Sequence, residues 1–156
     1  VSSPLAGFWA FLATYVAYFL PSILFPMDSR WLASLQKPTW SPPGAIVGLA
    51  WMIVYGMIAL SVALLHTKVG WRNLGWLWKG SFIVNLLLVF IYFAGQTVSK
   101  NLFLSFLNTA LIAGTAFLLV FFAWPYYRVS ALLFLPYALW SSFATYLAWA
   151  IYRLNA

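Results

Sequence analysis

The sequence predicts an all-α integral membrane protein, a bundle of five transmembrane helices, and three observations carry that prediction. Hydrophobic residues make up 65% of the 156 positions and charged residues 6%, with a mean hydropathy of +0.95. The apolar residues fall in stretches of roughly 20, the length that carries a helix across a bilayer core of about 30 Å. Short polar or helix-breaking segments separate these stretches. A soluble domain needs a polar shell and averages roughly 45–50% apolar residues. Eight cations and one acid cannot supply such a shell, so the apolar surface faces lipid.

In chain order the spans are about 5–25, 45–65, 76–95, 102–124 and 130–152. Punctuation between them comes from Pro26 to Arg30, His66 to Arg72, Gln96 to Asn101 and Pro125 to Arg128. Backbone groups inside lipid have no water to bond, so each run must satisfy its own, which favours helices. Continuous apolar runs without strict alternation argue against a β-barrel. The first span is too long for a signal-peptide core and lacks a basic flank, so it reads as a mature helix.

A net charge of +7 in a soluble protein would suggest nucleic acid. Here the cations stand singly between apolar runs and form no basic stripe. They read as anchors for helix ends at lipid headgroups, and nucleic acid is not an expected partner. With five spans the two termini lie on opposite sides. Lys68, Arg72, Lys79 and Arg128 fall on the N-terminal side, and Arg30, Lys37, Lys100 and Arg153 on the other. Balanced cations leave the orientation open.

Cysteine is absent, which excludes disulfides and thiolate chemistry. His66 and Asp28 are the only histidine and the only acid, and their spans separate them by about 30 Å of hydrocarbon. They form neither a dyad nor a metal site, and no metal or resident cofactor is expected. No triad, paired carboxylates or phosphate loop is present, and a proton-coupled pump is not indicated. Asp28 is expected to cap a helix or to pair with Arg30 or Lys37.

One connection is elaborate. Residues 26–44 hold Pro38, Pro42 and Pro43, which restrict the backbone, and the last two precede a helix whose first-turn donors need no partner. Trp31, Leu32 and Leu35 recur at helical spacing, predicting a short amphipathic turn along the interface. Trp31 and Trp40 alone would read as interfacial anchors. In a stiffened 19-residue loop at one mouth of a small bundle they read as part of a lid, with Lys37 among them.

The run from Trp31 through Lys37, Pro38, Trp40, Pro42 and Pro43, then Gly48, Trp51 and Tyr55, resembles the signature of the translocator protein (tryptophan-rich sensory protein, peripheral-type benzodiazepine receptor; TspO/MBR) family. Pro136 to Thr145 in the fifth span and Asn85 to Phe93 in the third are further matches. The chain departs from the family pattern at Leu88 and Asn108, and a small-xxx-small pair is incomplete at Trp76 and Gly80. The resemblance implies a membrane receptor or carrier for porphyrins such as protoporphyrin IX and haem-like tetrapyrroles. Benzodiazepine-type drugs and sterols are further implied ligands, and a homodimer the implied assembly. It also implies an alternative: light- and oxygen-dependent breakdown of protoporphyrin IX, with Trp51 and Trp140 as the reactive groups and porphyrin as substrate rather than cofactor. A scaffold with a protein partner is a third reading, supported by Ala110, Ala113, Gly114 and Ala116. The sterol-recognition pattern discussed for the family is imperfect here, because Tyr152 and Arg153 are adjacent. A bacterial inner membrane is the expected location, with the mitochondrial outer membrane as alternative.

Helical rise supports a pocket independently of that resemblance. Trp51 lies roughly 10 Å below the loop side, Asn85 about 15 Å, Tyr55 about 16 Å and Trp140 about 18 Å. Tyr137, Trp140, Ala144 and Leu147 share one face of the fifth span. Ordinary helix packing would account for any single aromatic or amide here. Together they suit a large, flat, mostly apolar ligand with polar edges. The expected ligand-binding set is Trp51, Tyr55, Asn85, Phe90, Tyr137, Trp140 and Ala144, with Ser22 and Val47.

Overall fold

The computed structural model describes residues 3–156. Its helices are α1 (Pro4–Leu24), α2 (Ser29–Ser34), α3 (Gly44–Lys68), α4 (Trp76–Val98), α5 (Leu102–Ala123) and α6 (Arg128–Asn155), with a 3-10 turn at Trp71–Asn73. All but α2 are long and apolar enough to cross a membrane. Around the bundle α1 packs on α3, α3 on α6, α6 on α5 and α5 on α4, and α4 closes more lightly on α1.

The distribution of side chains is that of a lipid-solvated protein. Ile83, Leu87 and Ile91 point outward on one stripe of α4, as do Leu104, Leu111 and Leu118 on α5 and Leu132, Leu139 and Tyr146 on α6. The interior, by contrast, holds Thr14, Ser61, Asn85, Gln96, Asn108, Thr109, Ser130 and Ser141. In lipid the apolar faces need no burial, and helix association relies on close packing and interhelical hydrogen bonds. The hydroxyls of Ser61 and Ser130 each donate to the other residue's carbonyl, at 2.8 and 3.1 Å, clasping α3 to α6. Near the same end, Gly7 lets α1 meet α3: a Cβ there would lie 2.8 Å from Thr67 Cγ2.

Helix ends follow capping chemistry more closely than hydropathy. Asn101 Oδ1 accepts from the Phe103 and Leu104 amides at 3.1 Å and starts α5. Pro43 occupies the N-cap of α3, where its carbonyl accepts from the Val47 amide at 3.1 Å. At the far end α3 continues to Lys68 rather than stopping near 65, with Thr67 Oγ1 bonded back to the Ala63 carbonyl at 3.0 Å. Likewise α4 runs to Val98 instead of 95, because Gln96 turns inward and donates to Ser105 Oγ at 2.8 Å. Polarity marks the edge of the hydrocarbon, and a helix need not end there. Pro21 and Pro136 both lie inside helices, which membrane helices tolerate where neighbours re-satisfy the freed carbonyl.

Candidate ligand-binding site

Beneath the 26–44 loop, aromatic side chains from α1, α3 and α6 converge. Trp51 and Trp140 meet edge to face with ring centroids 6.1 Å apart, and Trp51 lies 6.3 Å from Tyr137. Tyr55 is ringed by Phe19 at 5.1 Å, Tyr18 at 5.2 Å, Trp51 at 5.4 Å and Tyr137 at 6.3 Å. Trp51 and Trp140 are half-buried, whereas Tyr55 and Tyr137 are buried. The tyrosines therefore form a floor and the tryptophans stand above it.

Under the floor lies Asn85, fully buried on α4. Its Oδ1 accepts from Tyr18 and from Tyr137, both at 2.8 Å, while Nδ2 donates to Thr115 Oγ1 at 2.8 Å and to the Ile112 carbonyl at 3.2 Å. Two acceptor positions and two donors are all that an amide side chain offers. Asn85 is thus saturated within the protein and joins α1, α4, α5 and α6; in this arrangement it supports the floor rather than presenting a free polar atom. Tyr18, which the sequence reading passed over, is half of that support.

Trp140 is different. Its indole Nε1 is buried and has no hydrogen-bond partner. Such a donor is costly to leave unmatched in a low-dielectric surrounding. Trp140 also walls a cavity of about 430 Å³, together with Ala50, Ile53 and Val54 of α3 and Pro136, Leu139 and Phe143 of α6. Ile53 and Leu139 are more than half exposed, at 55% and 57%. The cavity consequently opens sideways toward lipid between α3 and α6. The ring packing just described fills the space among Trp51, Tyr55 and Tyr137.

The remaining expected residues are scattered around this centre. Val47 sits half-buried one turn before Trp51, and Ala144 half-buried one turn after Trp140. Ser22 donates to the Phe19 carbonyl of its own helix at 2.7 Å, and Phe90 is half-buried on α4.

Within the loop, α2 is fastened at both ends. Asp28 Oδ1 accepts from the Arg30 and Trp31 amides at 3.0 and 3.2 Å, capping α2, while Oδ2 accepts from Lys100 Nζ at 2.9 Å. The hydrogen bond from Lys100 and those from the α2 backbone hold the Asp28 carboxyl below the usual carboxylate range. The expected cap is present, and the ion pair reaches across to the α4–α5 turn instead of to Arg30 or Lys37. Lys37 folds back to donate to the Leu32 carbonyl at 2.8 Å, and Lys100 Nζ lies 5.9 Å over Trp31. At the other end, Asn155 accepts from the Gln36 amide at 3.0 Å and donates to the Gln36 carbonyl at 2.9 Å. Pro38 closes a turn by accepting from the Ser41 amide at 3.0 Å, and Pro42 leads into the α3 cap at Pro43. Trp40 stacks on Tyr146 at 5.1 Å, beside the cavity residue Phe143 at 6.0 Å.

Comparison with known proteins agrees with this architecture. The chain is 42% identical over 147 residues to the tryptophan-rich protein TspO of Bacillus cereus, covering 93% of this chain and 94% of the relative. It is 30% identical over 139 residues to the human translocator protein, covering 81% and 75%. Against the tryptophan-rich sensory protein of Cereibacter sphaeroides it is 26% identical over 153 residues, covering 96% and 92%. The sequence pattern of the TspO/MBR family matches residues 8–153, and the chain belongs to that family.

Proposed function

We propose that this protein is a membrane receptor or carrier for porphyrins and other flat hydrophobic ligands, including benzodiazepine-type drugs and sterols. The ligand enters from the bilayer through the opening between α3 and α6 and lies against Trp140, in the cavity beside the fastened loop. It displaces Trp51 from its edge-to-face contact with Trp140, so that both indoles flank it above the Tyr55–Tyr137 floor. One observation carries this reading: the buried, unpartnered Nε1 of Trp140, beside a half-buried Trp51 and in the wall of a cavity. A flat ligand gains ring contact from both indoles and supplies an acceptor to that nitrogen. Relatives named translocator and sensory protein are consistent with such a role. The similarity to bacterial relatives supports a bacterial cell membrane as the location, and a homodimer belongs to the same reading.

Titration of protoporphyrin IX into purified protein, followed by quenching of tryptophan emission, tests the proposal. Saturable quenching reversed by a benzodiazepine-type competitor is expected. Linear, non-saturable quenching insensitive to the competitor would contradict it.

A further inference from the structure

The end of the bundle opposite the loop holds a second cavity, about 1000 Å³, between the start of α4 and the end of α5. Trp76, Leu77, Phe117, Phe121, Trp124 and Tyr126 line it. Trp76 and Phe121 are 82% and 71% exposed, so the groove is open to the membrane. At one edge the Tyr126 hydroxyl accepts from the Gly75 amide at 2.9 Å and ties the two elements together. A Cβ at position 75 would lie 2.8 Å from that hydroxyl, so glycine is what lets the α5–α6 turn seat against the first turn of α4.

Two cations flank this groove, each held over a tryptophan that lines it. Lys79 Nζ lies 5.6 Å from the centre of the Trp76 ring and 5.4 Å from that of Trp71. Arg128 Cζ lies 5.1 Å over Trp124. Lys68 and Arg72 belong to the same end of the bundle, where the sequence has no acid at all. The single acidic side chain, Asp28, is at the opposite end and already bonded to Lys100.

We propose that this groove binds an anionic phospholipid, with the phosphate between Lys79 and Arg128 and the acyl chains along Phe117, Leu118 and Phe121. Tryptophan and tyrosine rings favour the headgroup level, which sets the depth of the site. An apolar groove alone would accept any lipid. The uncompensated cations supply the choice, since basic residues at the membrane surface favour anionic headgroups and a guanidinium matches phosphate geometry.

Native mass spectrometry of the full chain in detergent, supplied with dioleoylphosphatidylglycerol or dioleoylphosphatidylcholine, tests this. The unaltered protein is expected to retain the anionic lipid at a concentration about tenfold below that needed for the zwitterionic one. The double variant K79Q/R128Q abolishes the difference. R153Q, which removes a cation similarly stacked 5.3 Å over Trp149 at the other end, keeps it. Leu118→Trp fills the groove with both cations intact and loses the retained lipid. Circular dichroism on each variant separates lost lipid from lost fold. Equal retention of both lipids by the unaltered protein, or a preference that survives K79Q/R128Q, would overturn the proposal. So would a fall in R153Q as large as that in the double variant. A dimer that L118W dissociates, with no lipid retained, would assign the groove to a second copy instead.

Discussion

Tyr18 and Tyr137 donate to the same atom, Asn85 Oδ1, each at 2.8 Å, from helices on opposite sides of the bundle. The two rings are themselves edge to face at 6.2 Å. The amide they share bonds α5 through Thr115 and Ile112. A single buried side chain therefore positions the floor of the candidate site, and its loss is felt there first.

Replacing Asn85 with alanine strands two phenol donors in a dry interior, while the Thr115 hydroxyl keeps its bonds to the Leu111 and Ile112 carbonyls. A loss of about 1–3 kcal/mol is expected, seen as a lower midpoint in thermal unfolding in detergent. Y18F and Y137F each leave Asn85 Oδ1 one remaining donor and should each cost about 1 kcal/mol or less. Because they share an acceptor, the double variant should depart from additivity. Strictly additive midpoints would mean that the two bonds do not act through Asn85.

The latch between Asp28 and Lys100 separates charge from capping. D28N keeps a side chain able to cap α2 and removes the ion pair, whereas D28A removes both. Lys100 has a φ of +50°, a conformation that glycine adopts freely, so K100G deletes the latch while easing the turn. Hydrogen exchange in residues 29–36 should rise modestly in D28N and K100G and further in D28A. Equal exchange in all three would show that the ion pair, not the cap, orders α2.

Acid should release the same latch. The Asp28 carboxyl titrates below its ordinary range, with the hydrogen bond from Lys100 the largest cause. A group whose folded pKa is depressed adds stability that is present above its unfolded value and lost as pH falls through the folded one. The loop should thus exchange at the same intrinsic-rate-corrected protection from neutral pH down to the usual carboxylate range, and lose protection below it. Loss of protection at or above pH 6 would contradict the assignment.

Asn155 fastens the loop just past the end of α2 through two bonds to the Gln36 backbone. N155A should raise exchange at the Gln36 amide by about fivefold or more, the effect of one lost bond of roughly 1 kcal/mol. Because the ligand exchanges through the gap between α3 and α6, the porphyrin off-rate should stay close to that of the unaltered protein. A clearly faster off-rate would mean that ligand leaves past the loop instead.

Much of this fold was legible because membranes impose simple rules. Apolar runs of the right length, broken at Pro26, Gly70, Asn101 and Pro125, mark five helices without any packing information. The short helix α2 was legible from Trp31, Leu32 and Leu35, and the similar depth of Trp51 and Trp140 from helical rise, whereas nothing in the sequence showed that their rings meet. What escaped was set by contacts across the bundle. Tyr18 sits in an α1 stretch that reads as uniformly apolar, although Thr14, Tyr18 and Pro21 recur at helical spacing and are all buried. Asp28 has cations nearby in sequence, yet its partner Lys100 is 72 residues away. The role of Asn155 could not be read at all, since a terminal polar residue beyond the last apolar turn looks like solvent-exposed chain.

The central claim is that Trp51 and Trp140 act on one ligand. A double-mutant cycle of protoporphyrin IX affinity over W51F, W140F and W51F/W140F tests it most directly, since phenylalanine keeps an aromatic face and removes the indole nitrogen. W140F should weaken binding about tenfold, as expected when a buried ligand acceptor loses its donor, and W51F less. The double variant should show a coupling of about 0.5 kcal/mol or more, as for two groups touching a common ligand. Affinities unchanged in all three variants would contradict the account.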